Sequence, residues 1–477
     1  MPDRKSLSPL ERFLCLFTDV RAGEGGTALA MFANVFLILC AYYLMKPLRE
    51  GWIAVSPVAG LEPWLVKPLM TFAQILILFP VIAWYSRLVD RAPRVQVVTL
   101  ATLFCISNML VFWLIQPEYF IPNLPWTGIA FYVWVGMFSV FVVAQFWAFA
   151  ADVFSDEEGR RLMPMIAIGA TAGAASGSKI TEFLVEGGFP ELLMSLGLEP
   201  LAVLARQTLK TESLLLIACV PLGLSILLTR YVDATRPNAG SVQTTQKGDT
   251  SGGLSLVLSS RFLMAVALIT VLLNWVNSNG ENLLFRVVQE MLAGEAAAQG
   301  ITGEAELIEF TKNGTTAFYG NFFSWVNAAA LVLQALVASR LLKYGGFAPL
   351  LLLLPVVALT SYAVMALIPV LAVVKGLKIA ENATDYSINN TARHVLWLPV
   401  DSSVTLKGKP TIDALFARIG DGMATVTVLV GAMVFALATE VYFAFNVLLI
   451  LIWLALSVRI VREHARLSAA IPEQGGE

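Results

Sequence analysis

The chain has 477 residues, is 57% hydrophobic and only 14% charged, and carries a formal net charge of −2, with a mean hydropathy of +0.73. A soluble domain holds about a quarter charged residues, so this composition excludes an ordinary soluble protein and fits a bilayer, where a spanning helix takes roughly 20 mostly apolar residues. The only histidines are His394 and His464, and the four cysteines are scattered without pairing or metal-ligand spacing; a zinc centre or histidine-based catalytic cluster is excluded, and no cofactor is expected.

The opening MPDRKSLSPLERF is charged and no cleavable apolar core follows it, so no signal peptide is expected. Apolar runs then fall near 27–55, 62–84, 94–115, 127–152, 162–183, 212–229, 263–285, 317–341, 347–367, 369–396, 411–437 and 440–458. They predict an all-α polytopic membrane protein of about twelve transmembrane helices in two six-helix bundles, 1–229 and 263–477. The polar break RYVDATRPNAGSVQTTQKGDTSGG reads as a flexible linker, placed in a cytoplasmic 230–262. A second polar insert, 286–316, has the apolar spacing of a surface helix and is expected on the opposite side. The halves echo each other: SRLVDRAPRVQVV from Ser86 and SRLLKYGGFAPLL from Ser339 each close one run and open the next. Such repeats build many secondary transporters, with the site at the midplane.

Loop cations gather on one side, with Arg206, Lys210, Arg286 and Lys312 on the other, which predicts cytoplasmic termini. Lys46, Arg49, Lys67, Lys179, Lys375, Lys378, Arg393 and Arg418 remain inside apolar runs. A charge at the bilayer centre costs about 2.5–3.5 kcal/mol, so intramembrane ionisable groups face protein or water and mark function.

In the first run, Lys46 and Arg49 share one face beside Glu50, with Pro47 placed to bend the helix. In the fifth, Gly169, Gly173 and Gly177 form a small-residue packing ridge. The following SGSKIT departs from a phosphate loop because Gly and Lys are not adjacent; Lys179, one turn past Ser176, is expected to face a cavity. The seventh run places Asn274, Asn277, Ser278 and Glu281 on one face, with Gly280 positioned to let the helix unwind. Interhelical hydrogen bonding, worth about 0.6 kcal/mol per contact, is the structural alternative for its amides.

The tenth run is the most informative. Lys375, Lys378, Asn382, Asp385, Asn389 and Arg393 fall within about 80° of one helix face at 100° per residue. That stripe lines either a water-filled anion path or a structural ion-pair network, such as Lys378 with Asp385. Arg418 and Asp421 in the eleventh run are spaced for a structural pair. Tyr42, Tyr43 and Tyr386 are candidates to stack on a flat ligand.

Three stretches carry a family resemblance: YYLMKPLRE, QFWAFAADVFSDEEGRRLMPMIAIGA and DYSINNTARHVLWLPVDSSVTLKGKPTIDALFARIGDG. They resemble the ATP/ADP translocase-type nucleotide transporters of obligate intracellular bacteria and plastids, a family related to the major facilitator fold. The resemblance implies a major-facilitator-like architecture and nucleotide exchange without ATP hydrolysis. The family's Arg-x-x-Lys-Asp pattern is matched by Lys46, Arg49 and Glu50 with the bases swapped. Its acid in the seventh helix is matched by Glu281, and its following base by Arg286, shifted by one. Its Tyr-Ser…Lys-Glu is matched by Tyr386, Ser387 and Arg393, with His394 in place of the acid. The acid expected in the fourth helix is missing from FYVWVGMFSV.

The chain is therefore expected to be a non-enzymatic secondary transporter of anionic nucleotides in a bacterial inner membrane. It is expected to work as a monomer in lipid, without nucleic acid or metal, by alternating access through a central cationic cavity. Expected substrate-binding residues are Lys46, Arg49, Lys179, Asn277, Glu281, Lys375, Lys378, Asn382, Asp385, Tyr386 and Arg393. Asp90, Arg91 and Arg94 are expected cytoplasmic gates. The alternatives are a proton-coupled symporter of another organic or phosphorylated anion, using Glu281, Glu381 or Asp385, and a non-transporting receptor or enzyme.

Overall fold

A computed structural model describes residues 7–15, 18–89, 94–116, 126–236 and 252–470. Among these the regular structure is helical, apart from one isolated antiparallel bridge between Val58 and Leu61. The long helices are α1 (Gly25–Ala54), α2 (Pro63–Val89), α3 (Arg94–Leu114), α4 (Thr127–Val153), α5 (Asp156–Val185) and α6 (Ser213–Thr235). They continue as α7 (Arg261–Ala298), α8 (Glu304–Gly345), α9 (Phe347–Leu367), α10 (371–395), α11 (402–433) and α12 (Thr439–Ala470). Residues 237–251, inside the expected linker, lie outside the described residues. The 286–316 segment is the end of α7, a turn and the start of α8.

Among the described residues nine helices are long and apolar enough to cross a membrane, against the twelve spans predicted. Helices α5 and α10 are not among the nine. The first opens with Glu157, Glu158, Arg160 and Arg161, and the second carries the polar stripe, so their mean hydropathy drops where the chemistry is concentrated. Of α2, Pro63–Leu78 counts as a shorter apolar helix.

The described residues fall into two compact units. Unit 1 draws on Met1–Pro63, Leu76–Gln243 and Leu292–Ala328; unit 2 draws on Trp64–Ile75, Thr244–Met291 and Ala329–Glu477. In unit 1, α1 packs chiefly against α5 and α6. The glycine ridge of α5 makes this possible: a Cβ at Gly169, Gly173 or Gly177 would run into the backbone of Phe32, Phe36 or Cys40 respectively. This is the small-residue packing expected of spanning helices. Met31, Val35, Ile38, Leu44, Phe138, Phe146 and Leu222 fill the core around it. In unit 2, α9 packs mainly against α12.

At the start of α5, Ser155 and Glu158 form a reciprocal capping box, which satisfies two of the orphan amides of a helix start. The same end of unit 1 gathers ion pairs. Arg161 reaches Glu24 at 2.7 Å, Arg236 reaches Glu158 at 2.8 Å and Arg94 reaches Asp152 at 3.1 Å. Among the described residues four helices turn π-helical for part of their length, at Ser139–Val143, Leu333–Ala338, Asp385–Asn389 and Ile412–Phe416.

Candidate functional site

In unit 1, α1 stays helical through Pro47 and carries Lys46 and Arg49 on one face. The Lys46 ammonium sits 3.9 Å from the centroid of the Phe323 ring and 5.0 Å from that of Tyr43. The Arg49 guanidinium lies 4.8 Å from the Tyr132 ring centroid, and its Nε donates to Glu50 Oε1 at 3.0 Å. Both cations are half-buried and Glu50 is buried. Aromatic faces attract cations without neutralising them, so these contacts orient the two side chains. Tyr42 lies parallel to Phe138 with centroids 6.0 Å apart, and Tyr43 meets Phe323 edge-on. Lys179 of α5 is largely exposed and pairs with buried Glu182 at 3.0 Å. Glu182 also accepts from Asn321 Nδ2 at 2.8 Å.

In unit 2 the centre is Lys378, which is fully buried. Its Nζ lies 2.8 Å from Glu381 Oε2, 3.2 Å from Asn277 Oδ1 and 3.4 Å from the Tyr362 hydroxyl. Glu281 Oε1 stands 3.9 Å away and accepts from Asn382 Nδ2 at 2.7 Å. The cluster thus joins α7, α9 and α10, and brings together four expected residues: Asn277, Glu281, Lys378 and Asn382. Burying an ammonium is tolerable only with such pairing. Tyr362 donates to the Val276 carbonyl and is a member that sequence reasoning missed, because one tyrosine in an apolar run carries no spacing signal. Glu381, considered only as a proton site, is the partner at i+3 that helical geometry would have supplied.

Two expectations change here. Lys378 pairs with Glu381 and not with Asp385, which instead accepts from Asn389 Nδ2 at 2.7 Å. Gly280 does not unwind α7, which is helical throughout; it makes room. A Cβ at this position would lie 2.9 Å from Lys378 Nζ and closer still to the Tyr362 hydroxyl.

The single stripe predicted for α10 is also interrupted. The π-helical segment Asp385–Asn389 adds backbone per turn, so residues beyond it no longer follow a spacing of 100°. Arg393, past the π segment, pairs with Asp413 of α11 at 2.6 Å. Together they line a small cavity with Thr270, Asn389 and Trp397. Lys375 and Tyr386 are half-buried on α10. The expected pair Arg418–Asp421 is present at 3.0 Å, and Asp421 also accepts from the Ser278 hydroxyl. Of the expected gates, Asp90 and Arg91 lie outside the described residues, and Arg94 pairs with Asp152. Lys67, another cation from the apolar runs, is buried 4.5 Å from the Phe285 ring centroid, and Arg286 lies 4.4 Å from that of Trp64. Among the described residues no group of three metal-binding side chains occurs.

Long apolar helices with ion pairs and cation–aromatic contacts buried inside them define a polytopic integral membrane protein of the major-facilitator-like transporter fold. Solved structures agree. A bacterial homolog of the human lysosomal transporter Spinster is similar at a TM-score of 0.57 and 13% identity, over 94% of this chain and 99% of that one. The nucleoside transporter NupG is similar at a TM-score of 0.56 and 10% identity, over 93% and 98%. More particularly, the chain belongs to the TLC ATP/ADP transporter family, whose model matches residues 118–464. Its relatives include ADP,ATP carrier protein 1 of Chlamydia trachomatis, 22% identical over 98% of this chain and 94% of the relative. The protein of the same name from Chlamydia pneumoniae is 22% identical over 96% and 94%. The resemblance carried by the three sequence stretches is thereby borne out.

Proposed function

We propose that this chain exchanges anionic nucleotides of the ATP/ADP type across a membrane by alternating access, without hydrolysing them. The observation that carries this is its membership of the ATP/ADP transporter family, matched over 118–464. Buried and half-buried cations support it, since ATP carries about four and ADP about three negative charges, which fixed cations stabilise strongly at low dielectric.

In unit 1, Lys46 and Arg49 are the proposed phosphate contacts. Arg49 offers a planar fork suited to two phosphate oxygens, and Lys46 acts as a point charge. Lys179 is a further contact if Glu182 releases it. In unit 2, Lys375, Asn382, Asn277 and Tyr386 are proposed to contact substrate. Lys378 acts there as a cation held by Glu381, with Glu281 and Asp385 as counter-charges. Arg393 is proposed to bind anion when it leaves Asp413. Asp90, Arg91 and Arg94 are proposed gates, the last working through Asp152. We further place the protein in a bacterial inner membrane with both termini cytoplasmic. Twelve spans would form two halves, 1–229 and 263–477, joined by the 230–262 linker, with 286–316 on the outer side, acting as a monomer in lipid without cofactor, nucleic acid or catalysis.

Proteoliposomes test this. Labelled ATP should enter vesicles loaded with ADP and fail to enter empty ones, whatever the pH gradient. The second reading, proton-coupled symport, draws on Glu281, a partly exposed carboxylate 3.9 Å from Lys378. It requires uptake into empty vesicles driven by an imposed pH gradient, and that result would replace exchange.

A further inference from the structure

Between α5 and α6 the chain forms two short helices, Gly188–Ser195 and Glu199–Thr208. They and the turn between them carry a dense set of exposed large apolar side chains, among them Leu192, Met194, Leu196, Leu201 and Leu204. In water such a surface would be an aggregation hazard.

The level at which this segment leaves the bundle follows from α6. Arg236, just past the end of α6, pairs with Glu158 at the start of α5, so these helices share one charged end. From there α6 rises through 23 residues, about 34 Å at 1.5 Å per residue. The hydrocarbon core is about 30 Å thick. Residues 186–212 therefore emerge at the opposite membrane boundary. Val220, Leu224 and Leu227 on α6 are exposed apolar residues, as on a spanning helix that meets lipid.

The second short helix has three faces. Ala202 and Ala205 are buried against the protein. At 100° per residue, Leu201 and Leu204 lie on one side of that buried face, and Glu199, Arg206 and Gln207 on the other. Leu201 and Leu204 are exposed, as are Glu199, Arg206 and Gln207. Val203, exposed on the polar side, apart, a helix lying flat at a membrane boundary has this division, with its apolar side in acyl chains and its polar side in water. Arg206 Nη2 also reaches Met194 Sδ at 3.4 Å, which ties the two short helices together.

We propose that the helix pair 188–208 lies in the plane of the membrane boundary, with Leu201 and Leu204 inserted among lipid chains. The occupant is lipid because the segment joins two membrane-length helices at the edge of the hydrocarbon core, and its exposed side chains there are large and apolar. The pair would then anchor the ends of α5 and α6 at a fixed depth.

Spin labels placed singly at Leu201, Leu204 and Gln207 test this. The full chain, with its four native cysteines replaced by alanine, would be reconstituted in vesicles of phosphatidylethanolamine and phosphatidylglycerol. Collision with dissolved oxygen, which concentrates in acyl chains, is compared with collision with a water-soluble nickel chelate. Labels at Leu201 and Leu204 should favour oxygen and the label at Gln207 the chelate, with ratios differing severalfold. Equal chelate access at all three positions would place the helix in water and overturn the proposal. Shielding of Leu201 and Leu204 from both reagents, with dipolar broadening between labels, would put a second copy on this face and overturn it equally.

Discussion

Lys378 Nζ lies 2.8 Å from Glu381 Oε2, with the lysine wholly buried and the glutamate nearly so. One turn of α10 thus carries both halves of an ion pair that water does not reach. Its desolvation penalty is large, and what stabilises it is complete pairing: Asn277 and Tyr362 take the remaining ammonium protons. Removing one partner of a buried pair typically costs about 3–5 kcal/mol because the other is left charged and alone, whereas replacing both with apolar groups is often neutral. Lys378→Met should therefore lower the unfolding temperature in detergent sharply, and Lys378→Met with Glu381→Leu should recover most of that loss. A single variant that melts with the parent would mean that the pair does not hold charge in the fold.

Lys46 and Arg49 predict a different outcome. They stand against aromatic rings, and Arg49 pairs with buried Glu50, so Arg49→Gln should lower stability as well as anion binding, and uptake is compared at equal amounts of folded protein. A charged hydrogen bond contributes about 1.5–3 kcal/mol, so Arg49→Gln should reduce nucleotide uptake by about tenfold or more. Arg49→Lys should restore it only in part, since a lysine cannot present two parallel donors. Lys46→Gln should behave similarly. Normal exchange by both Gln variants in proteoliposomes would remove these residues from the phosphate site.

How far the sequence foretold this arrangement depended on whether local periodicity held. The ridge Gly169, Gly173, Gly177 was legible because an unbroken helix keeps residues four apart on one face, and α5 is unbroken there. The polar face of α7 was legible for the same reason, and Asn277 and Glu281 do meet α10. Arg393 shares a stripe with Lys378 only on a uniform α-helix. The π turn at Asp385–Asn389 breaks that uniformity, and hydropathy carries no mark of it. Tyr362 and Asp413 could not be foreseen either. They reach the site from other helices, and contacts between distant segments leave no spacing in one sequence. The aromatic seats of Lys46 and Arg49, on Phe323 and Tyr132, are of the same kind.

Outside the spans, Glu24 provides a pH test. Burial pushes its carboxyl up, but the Arg161 hydrogen bonds, the Arg21 amide and the Arg161 charge outweigh this and hold it below the usual range. A carboxyl depressed in the folded state contributes stability that is present above its unfolded value, about 4.3. That contribution is lost as pH falls through the folded value. The parent should melt above Glu24→Gln at neutral pH, and the gap should close as the pH falls below about 4.3. Melting curves of both proteins in the same detergent over this range check the sign; a gap that stays constant or widens in acid would show that the Arg161 pair contributes nothing through ionisation.

Gly280 offers the sharpest structural prediction. It faces Lys378 and Tyr362 across the contact between α7 and its neighbours, and any side chain there meets both. Tyr362 is fully buried and its hydroxyl is bonded to the Val276 carbonyl, so it has little freedom to move away. In an exposed helix, Gly→Ala gains up to about 1 kcal/mol from propensity. Here the overpacking penalty, typically about 1–3 kcal/mol, opposes that gain and should exceed it, because the displaced groups are also the ones that satisfy Lys378. Gly280→Ala should thus lower the unfolding temperature. Tyr362→Phe removes the hydroxyl that Ala would strike, so the added effect of Gly280→Ala should be smaller in that background. Independent, additive losses from the two substitutions would show that the glycine is there for a reason other than the approach of the tyrosine.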